Sequence, residues 1–240
     1  MAQYIYGRNT VYSALLDGKV IRVFLAPSFR DGQTIDTIAR RKITSEKRSV
    51  EELDKLVSHG VHQGIVAEVE DYRYVSLEEL CHKAEAKKYP LLVMLDEIND
   101  PHNFGAILRS VDAFGADGVI IKKTGQVGLN ATVAKVSTGA IDHVPVCQVV
   151  NLSQTLKELK KKGYWAVASD GSAKADYRSV DYKMAVVLVV GSEGEGVSHL
   201  VLENSDFIVK IPMVGHVNSL NASVATAVLL ANIYNNRTPR

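Results

Sequence analysis

Two hydrophobic patterns follow one another along the chain, and the second is the longer and more regular. After Pro90 come six apolar runs of strand length, at 91–97, 118–123, 143–149, 164–170, 184–191 and 206–211. Stretches with helical spacing lie between most of them, and a long one follows at 222–236. Continuous Val, Leu and Ile runs that alternate with helices are typical of a mainly parallel sheet covered by helices on both faces. We therefore predict an α/β fold for this part of the chain.

The first 70 residues have shorter elements. Their pattern predicts strands at VIRVFLA and GIVAEVE, and helices at Thr10–Leu16, Thr34–Arg41 and VEELDKLVS. A polar, partly helical segment that ends in Pro90 follows and separates the two patterns. We predict a small N-terminal α/β domain at 1–71, a linker at 72–89 and a larger domain at 90–240.

Composition narrows the class of protein. Apolar residues make up 46% of the chain and charged residues 23%, as in soluble globular proteins. No apolar run approaches the roughly 20 residues of a membrane span, and the first residues lack the order of a signal peptide. Cys81 and Cys147 have neither CxxC spacing nor a histidine cluster beside them, which indicates a reducing compartment and no zinc site. We expect a cytoplasmic protein without a metal and without contact to a membrane.

Charge is unevenly distributed along the chain. Residues 1–50 contain nine Lys and Arg against four acidic residues, while the whole chain has a net charge of +1. A basic segment joined to a neutral remainder is typical of a nucleic-acid-binding appendage. For any single one of these charges, an ordinary solvated surface is the simpler explanation.

The first polar motif, LDEINDPHNFGAILRS, follows the strand at 91–97. Asn103 lies at the start of the predicted helix, Gly105 allows something to approach closely, and Arg109 comes six residues after Asn103. Arg109 could point over the strand ends, where a guanidinium suits a phosphate or a carboxylate, or out to water. The predicted core face of this helix consists of Ile107, Leu108 and Val111.

Two further motifs also follow strands. VVGSEGEGVS, at 189–198, is neither a P-loop nor a dinucleotide fingerprint, and its two carboxylates would repel phosphate. Its glycines suit a flat, weakly charged ligand, whose hydroxyls Glu193 could bind. IPMVGHVNSLNAS, at 211–223, puts Asn218, Ser219 and Asn221 at a strand-to-helix corner, where they either cap the helix or serve a ligand. Ligands bind outside the carboxyl ends of parallel strands, so the three motifs predict one site.

Together these motifs resemble a known family. DPHNFGAILRSVDAFGADGVII, LVVGSEGEGVS and IPMVGHVNSLNASVATAV resemble, in order and spacing, the three motifs of SpoU-type RNA 2′-O-methyltransferases of the SPOUT superfamily. YIYGRNTVYSALLDG and VHQGIVAEVEDY extend the likeness to nearly the whole chain. These N-terminal segments resemble the branch that methylates a guanosine of 23S ribosomal RNA, in the loop that contacts peptidyl-tRNA.

The resemblance implies a fold and a cofactor beyond what the pattern predicts. The C-terminal domain would contain a deep trefoil knot, and the N-terminal domain would be of the ribosomal-protein L30-like, RNA-binding type. The chain would form a homodimer through its C-terminal domain. S-adenosylmethionine would lie in the knot, held largely by main-chain groups of Gly191, Ile211, Met213 and Leu220.

The resemblance also implies roles for side chains. Asn103, Arg109, Glu193, Ser219 and Asn221 would form the catalytic set, and Arg8 and Arg22 are our candidates for RNA contacts. In the mechanism proposed for this family, the arginine that corresponds to Arg109 is the base that deprotonates the hydroxyl. An arginine in a protein, however, is effectively always protonated. We expect Arg109, braced by Asn103, to bind a phosphate beside the target ribose and to orient the 2′-hydroxyl. Ser219 and Asn221 would shape the pocket.

Two alternatives stay open. The first is a transfer-RNA ribose methyltransferase with the same catalytic domain, although the separate N-terminal domain favours ribosomal RNA. The second is a non-catalytic RNA-binding protein that retains the fold. The presence of all five candidate catalytic residues argues against that second alternative.

Overall fold

The computed structural model describes residues 3–57, 60–69, 72–217 and 219–238. The chain divides into two compact units, Met1–Tyr72 and Arg73–Arg240. Each unit has a sheet and a hydrophobic core of its own.

The N-terminal unit is a small α/β structure. Its sheet has the strand order β1-β4-β2-β3, in which β4 runs antiparallel to β1 and β2, and β2 runs parallel to β3. The predicted helices and the strands β2 and β4 are present, whereas the pattern did not reveal β1 and β3. The bounds are β1 Gln3–Tyr6, α1 Arg8–Leu16, β2 Val20–Leu25, α2 Gly32–Arg40, β3 Thr44–Lys47, α3 Val50–Leu56 and β4 Ile65–Val69.

The second unit is built on a seven-stranded sheet in the described part of the chain. The strand order is β7-β6-β5-β10-β8-β11-β9, and every neighbouring pair is parallel. The bounds are α4 Leu77–Ala84, β5 Leu91–Asp96, α5 Pro101–Ala113, β6 Gly118–Lys122, α6 Ala131–Ser137, β7 Val146–Val149, α7 Leu152–Lys161, β8 Trp165–Ser169, β9 Ala175–Asp176, β10 Val186–Gly191, α8 His199–Glu203, β11 Phe207–Lys210 and α9 Ala222–Arg237.

Helices cover both faces of this sheet, as the pattern predicted. Leu92 and Met94 of β5 belong to one core with residues of α4, α7 and α8. Val93 and Leu95 alternate with them, so they point to the opposite face, and they are also fully buried. Helix α5 contacts both α6 and α9, and these helices are not part of the core that Leu92 and Met94 share. Ile107, Leu108 and Val111 of α5 are fully buried, as expected.

The segment expected to be a linker is largely part of the second unit. Within α4, Leu80, Cys81 and Ala84 are fully buried and belong to the core below β5. The Val75 N–H donates to the Val146 carbonyl at 2.9 Å, which attaches the chain before α4 to β7. Burial raises the pKa of the Cys147 thiol to about 11, so this cysteine is an inert core residue.

Gly105 allows close approach between two helices. A Cβ atom added there would lie 2.7 Å from the Cβ of Val136 and 2.9 Å from the carbonyl oxygen of Val133. The partner that needs the space is therefore helix α6.

Among the described residues, no helix combines the length and the apolar character that a membrane crossing requires.

Arg237 fastens the end of α9 to the start of two strands. Its guanidinium donates to the carbonyls of Tyr182 at 2.9 Å, Tyr89 at 2.8 Å, Met184 at 2.8 Å and Pro90 at 3.3 Å. These carbonyls precede β5 and β10, the central pair of the sheet. Burial lowers the pKa of Arg237, but a guanidinium stays charged in a protein.

We expect Arg237→Lys to destabilise the second unit by roughly 2 kcal/mol, because an ammonium group cannot satisfy four carbonyls arranged around a planar fork. The fluorescence of Trp165, the single tryptophan of the chain, reports on this unit during urea unfolding. Arg178→Lys is the control, since Arg178 lies exposed against Asp176. Equal midpoints for the two variants would show that the Arg237 contacts contribute nothing specific.

Candidate active site

An open cleft of about 280 Å³ lies at the carboxyl ends of β8, β10 and β11. The structure brings all four candidate cofactor residues to its wall, together with two of the candidate catalytic residues. This is the edge of the sheet at which the three motifs were expected to meet. The lining includes Gly191, Ile211, Met213 and Leu220, and also Glu193 and Ser219.

The glycine loop folds back on itself directly after β10. Ser192 and Gly196 exchange backbone hydrogen bonds of 3.1 Å in both directions, and Gly196 adopts a φ of +70°. A Cβ at Gly191 would lie 2.0 Å from the carbonyl carbon and oxygen of Gly196. The loop itself therefore requires glycine at position 191, and a larger residue there would disrupt the loop whether or not a ligand binds.

The far end of this loop is held by a buried carboxylate. Asp96, at the end of β5, is 2% exposed and accepts a 2.8 Å hydrogen bond from the Ser198 N–H. The loop thus begins at β10 and is fastened to the neighbouring strand. Its shape is largely set before any ligand is considered.

One carboxylate oxygen joins the three motifs. Glu193 Oε1 accepts hydrogen bonds from the Asn103 side-chain amide at 2.8 Å, from the Asn221 side-chain amide, and from the Ala222 N–H at 3.4 Å. Asn221 also donates to Asn103 Oδ1 at 2.9 Å. Glu193 and Asn221 follow Asn103 by 90 and 118 positions along the chain, and yet the three side chains meet at one point. We call these three residues, Asn103, Glu193 and Asn221, the motif bridge.

Asn221 is a helix cap as well as a member of the motif bridge. Its Oδ1 accepts from the N–H of Ser223 at 3.0 Å and of Val224 at 3.4 Å, which caps α9. Its amide nitrogen is the group that contacts Glu193 and Asn103. Both readings of this corner, as cap and as site, therefore apply to the same side chain.

Arg109 is not braced by Asn103, contrary to the sequence-based expectation. Asn103 is engaged with Glu193 and Asn221, and Arg109 lies about 9 Å further along the axis of α5. The Arg109 side chain is exposed and makes no hydrogen bond or ion pair with the described residues. Its charge is therefore available to a ligand.

Ser219 and Leu220 line the cleft just before α9, whereas Asn218 lies outside the described residues.

The structure adds a residue that the motifs did not contain. Asp170, directly after β8, lines the cleft and fixes the next turn by accepting from the N–H of Ser172 at 2.7 Å. The rule that ligands bind at strand ends could have found it, since Asp170 ends a predicted strand.

The two RNA-binding candidates lie in the N-terminal unit and differ in their surroundings. Arg22 is paired across the sheet with Glu68 and, at 3.7 Å, with Glu46. Arg8 lies at the start of α1, is exposed, and makes no ion pair with the described residues. At Arg22, but not at Arg8, a phosphate would have to displace carboxylates that are already ion-paired with the arginine.

Within the described ranges, no group of three or more His, Cys, Asp or Glu side chains is arranged to hold a metal ion. The cleft lining contains side-chain hydroxyl and carboxylate groups, and Cys147 and Cys81 are buried elsewhere.

Comparisons with known proteins agree with this arrangement. Residues 90–231 match the SpoU rRNA Methylase family, and residues 4–75 match the family described as RNA 2′-O ribose methyltransferase substrate binding. A protein of Bacillus subtilis strain 168, YacO, named as a TrmH family tRNA/rRNA methyltransferase, is 45% identical over 98% of this chain and 96% of its own.

Solved structures share the fold. AviRb, a SpoU methyltransferase from Streptomyces viridochromogenes crystallised with the cofactor AdoMet, has a TM-score of 0.69 at 21% identity, over 98% of this chain and 90% of its own. The A. aeolicus TrmH/SpoU tRNA modifying enzyme is 34% identical, with a TM-score of 0.58, over 67% of this chain and 83% of its own. The chain therefore belongs to the SpoU, or TrmH, family of RNA methyltransferases.

Proposed function

We propose that this protein transfers a methyl group from S-adenosylmethionine to a ribose 2′-hydroxyl of RNA, and that the target is a guanosine in the peptidyl-tRNA-contacting loop of 23S ribosomal RNA. The observation that carries the proposal is the cleft at the strand ends, where the motif bridge brings three distant segments together. The match of residues 4–75 to a substrate-binding family supports an RNA substrate.

Transfer RNA is the second candidate substrate. The A. aeolicus relative is named a tRNA modifying enzyme, and the name of the B. subtilis relative includes both RNA classes. The presence of an N-terminal unit of its own favours ribosomal RNA, as the sequence pattern suggested.

The residues of the cleft fit S-adenosylmethionine. Asp170, Glu193 and Glu195 line it, and three carboxylates favour a cationic ligand over a polyphosphate. Ile211 and Met213 supply apolar surface for the adenine. When bound, the cofactor supplies a methyl group activated by a positively charged sulfur.

The side chains around the cleft would position the RNA. A 2′-hydroxyl is a very weak acid, so its oxygen must be aligned for attack and lose its proton during transfer. Arg109 is exposed and unpaired among the described residues, and we assign it to a phosphate beside the target ribose. Glu193 Oε1 already belongs to the motif bridge, which leaves its second oxygen for ribose hydroxyls. Ser219 would shape the pocket next to Leu220.

Several further features are proposed from the resemblance to the family. They are a trefoil knot in the residues 90–240, a homodimer formed through this domain, an L30-like RNA-binding domain at 1–71, and a cytoplasmic location. Apolar surface on α9, where Val224 is 47% and Tyr234 50% exposed, is compatible with such a dimer.

The activity is tested by incubating the purified protein with labelled S-adenosylmethionine and unmodified 23S ribosomal RNA, 16S ribosomal RNA or transfer RNA. We expect label in 23S RNA and, after nuclease digestion and mass spectrometry, 2′-O-methylguanosine. Label in transfer RNA alone would favour the second candidate, and no label in any RNA would contradict the proposal.

In the same assay, we expect Arg109→Ala to lower methyl transfer about 100-fold or more while cofactor affinity stays within about twofold, because a group that acts on the RNA is lost. Arg109→Lys should restore little, since a point charge cannot replace a bidentate fork. Lys157→Ala, which removes an exposed charge on α7, is the control. Near wild-type turnover of Arg109→Ala would make Arg109 an ordinary solvated residue.

We expect Glu193→Ala to weaken S-adenosylmethionine binding about tenfold, because the Asn103 and Asn221 amides lose their common acceptor and the loop loses its attachment to α9. Glu195→Ala removes the same charge from the same cleft without breaking a side-chain hydrogen bond. Isothermal titration calorimetry compares the two variants. Equal losses would mean that charge, and not the motif bridge, determines affinity.

A further inference from the structure

The N-terminal unit contains a cleft of about 370 Å³ that is separate from the methyl-transfer site. It lies between the start of α1, the helix α3 and the turn that leads into β4. All of its lining residues belong to this unit, and they combine a cation, a carboxylate and an amide. We call it the N-terminal cleft, and its polar lining is made by Arg8, Ser28, Asp54, His62 and Gln63.

A buried histidine orients the carboxylate of this cleft. The His62 side chain is 8% exposed, and its Nδ1 accepts a 3.0 Å hydrogen bond from the Gly64 N–H. The ring proton is therefore on Nε2, which donates to Asp54 Oδ1 at 3.2 Å. The second oxygen of Asp54 makes no hydrogen bond with the described residues and is free to accept from a ligand.

Gln63 is held in a conformation that is unfavourable for a residue with a side chain. Its φ is +53°, in the left-handed region, where glycine would be the less strained choice. The side-chain Oε1 accepts from the Arg8 N–H at 3.0 Å, so the amide nitrogen of Gln63 is left as a donor at the edge of the cleft. Backbone strain of this kind is often found where a side chain has a binding role.

Arg8 adds positive charge to the same opening. Its guanidinium lies 5.6 Å from the centre of the Phe29 ring, and it makes no ion pair with the described residues. Helix α1 has no acidic residue in its first turn, although the carboxylates of Asp54 in the cleft and of Asp31, which interacts electrostatically with Arg8, lie nearby. The Arg8 guanidinium is the group of this cleft that a phosphate would bind.

We propose that the N-terminal cleft binds one unpaired guanine nucleotide of the substrate RNA, a site distinct from the methylated ribose. Guanine presents two adjacent donors, N1–H and N2–H, to a carboxylate, and an acceptor, O6, to an amide nitrogen. Asp54 offers its second oxygen and the remaining lone pair of Oδ1 to the two donors, and the amide nitrogen of Gln63 can donate to O6. Arg8 would bind the phosphate of the same nucleotide. Unpaired bases are the usual targets of sequence-specific RNA recognition. The proposal rests on the RNA methyltransferase function and specifies how that substrate is recognised.

The test measures binding of labelled nine-nucleotide single-stranded RNAs to the full chain by fluorescence anisotropy. The three RNAs are oligo(A), the same RNA with a central guanosine, and the same RNA with a central inosine, which lacks the N2 amino group. The wild-type protein is expected to prefer the guanosine RNA about tenfold over both others, as a bidentate contact allows. Equal affinity for the three RNAs would overturn the proposal.

Variants identify the groups responsible. In Asp54→Asn, the amide oxygen can still accept from His62, but an NH₂ group that donates replaces the oxygen that would accept from the base. This variant should therefore abolish the guanine preference without weakening the binding of oligo(A). Gln63→Gly should relieve backbone strain, keep or raise the melting temperature, and reduce the preference. Lys55→Ala, on the same helix as Asp54 but outside the cleft, should change nothing. A preference that survives both Asp54→Asn and Gln63→Gly would overturn the assignment.

Salt dependence tests the phosphate contact. Arg8→Ala should lower the slope of log affinity against log salt by about 0.7, the value for one contact with a single strand. Lys55→Ala is the control, because it removes one exposed positive charge of the same unit outside the cleft. No methyl transfer is needed in these measurements. A failure of the guanine preference therefore contradicts only the cleft, whereas an absence of methyl transfer contradicts the proposed function.

Discussion

The position of β10 is the constraint on which the second unit depends. Four strands of the sheet, β6 to β9, lie between β5 and β10 along the chain. Nevertheless β10 pairs directly with β5 on one side and with β8 on the other. All three run parallel, so the loops that leave their carboxyl ends emerge side by side. Segments about 100 residues apart along the chain are therefore neighbours, and the cleft is a consequence of this strand order.

Once the loops are adjacent, a small set of polar contacts fixes them. Glu193 Oε1 holds the start of α5 and the start of α9, and Asp96 holds the end of the glycine loop. The contact between Gly191 and Gly196 is too close for any side chain. Glycine at this position is thus a requirement of the loop, and its smallness alone says nothing about a ligand. Binding groups and structural groups coincide in this site.

The N-terminal unit differs from the second unit in where its polar residues lie, because they are arranged around a turn and two helix ends and not at strand ends. The count of charged residues identified the first 50 residues as basic. The contacts show, however, that the two arginines chosen as RNA-binding candidates have different surroundings. Arg22 is neutralised by Glu46 and Glu68, whereas Arg8 faces an opening that also contains Asp54 and Gln63. In the guanine site that we propose, the residues that would distinguish one base from another, Asp54 and Gln63, are not the basic ones.

The sequence by itself determined the fold class, the parallel sheet with helices on both faces, and the residues that gather at its edge, since buried strands and caps follow from local hydrophobic pattern and turn chemistry. It missed β1, β3 and the two-residue strand β9, and it took α4 for part of a linker, because short or polar elements have weak patterns. Tertiary structure alone decided that Asn103 contacts Glu193 and Asn221 instead of Arg109, that Gly105 serves helix α6, and that Asp170 lines the cleft. Each of these depends on which distant segments the strand order brings together, and local pattern does not contain that information.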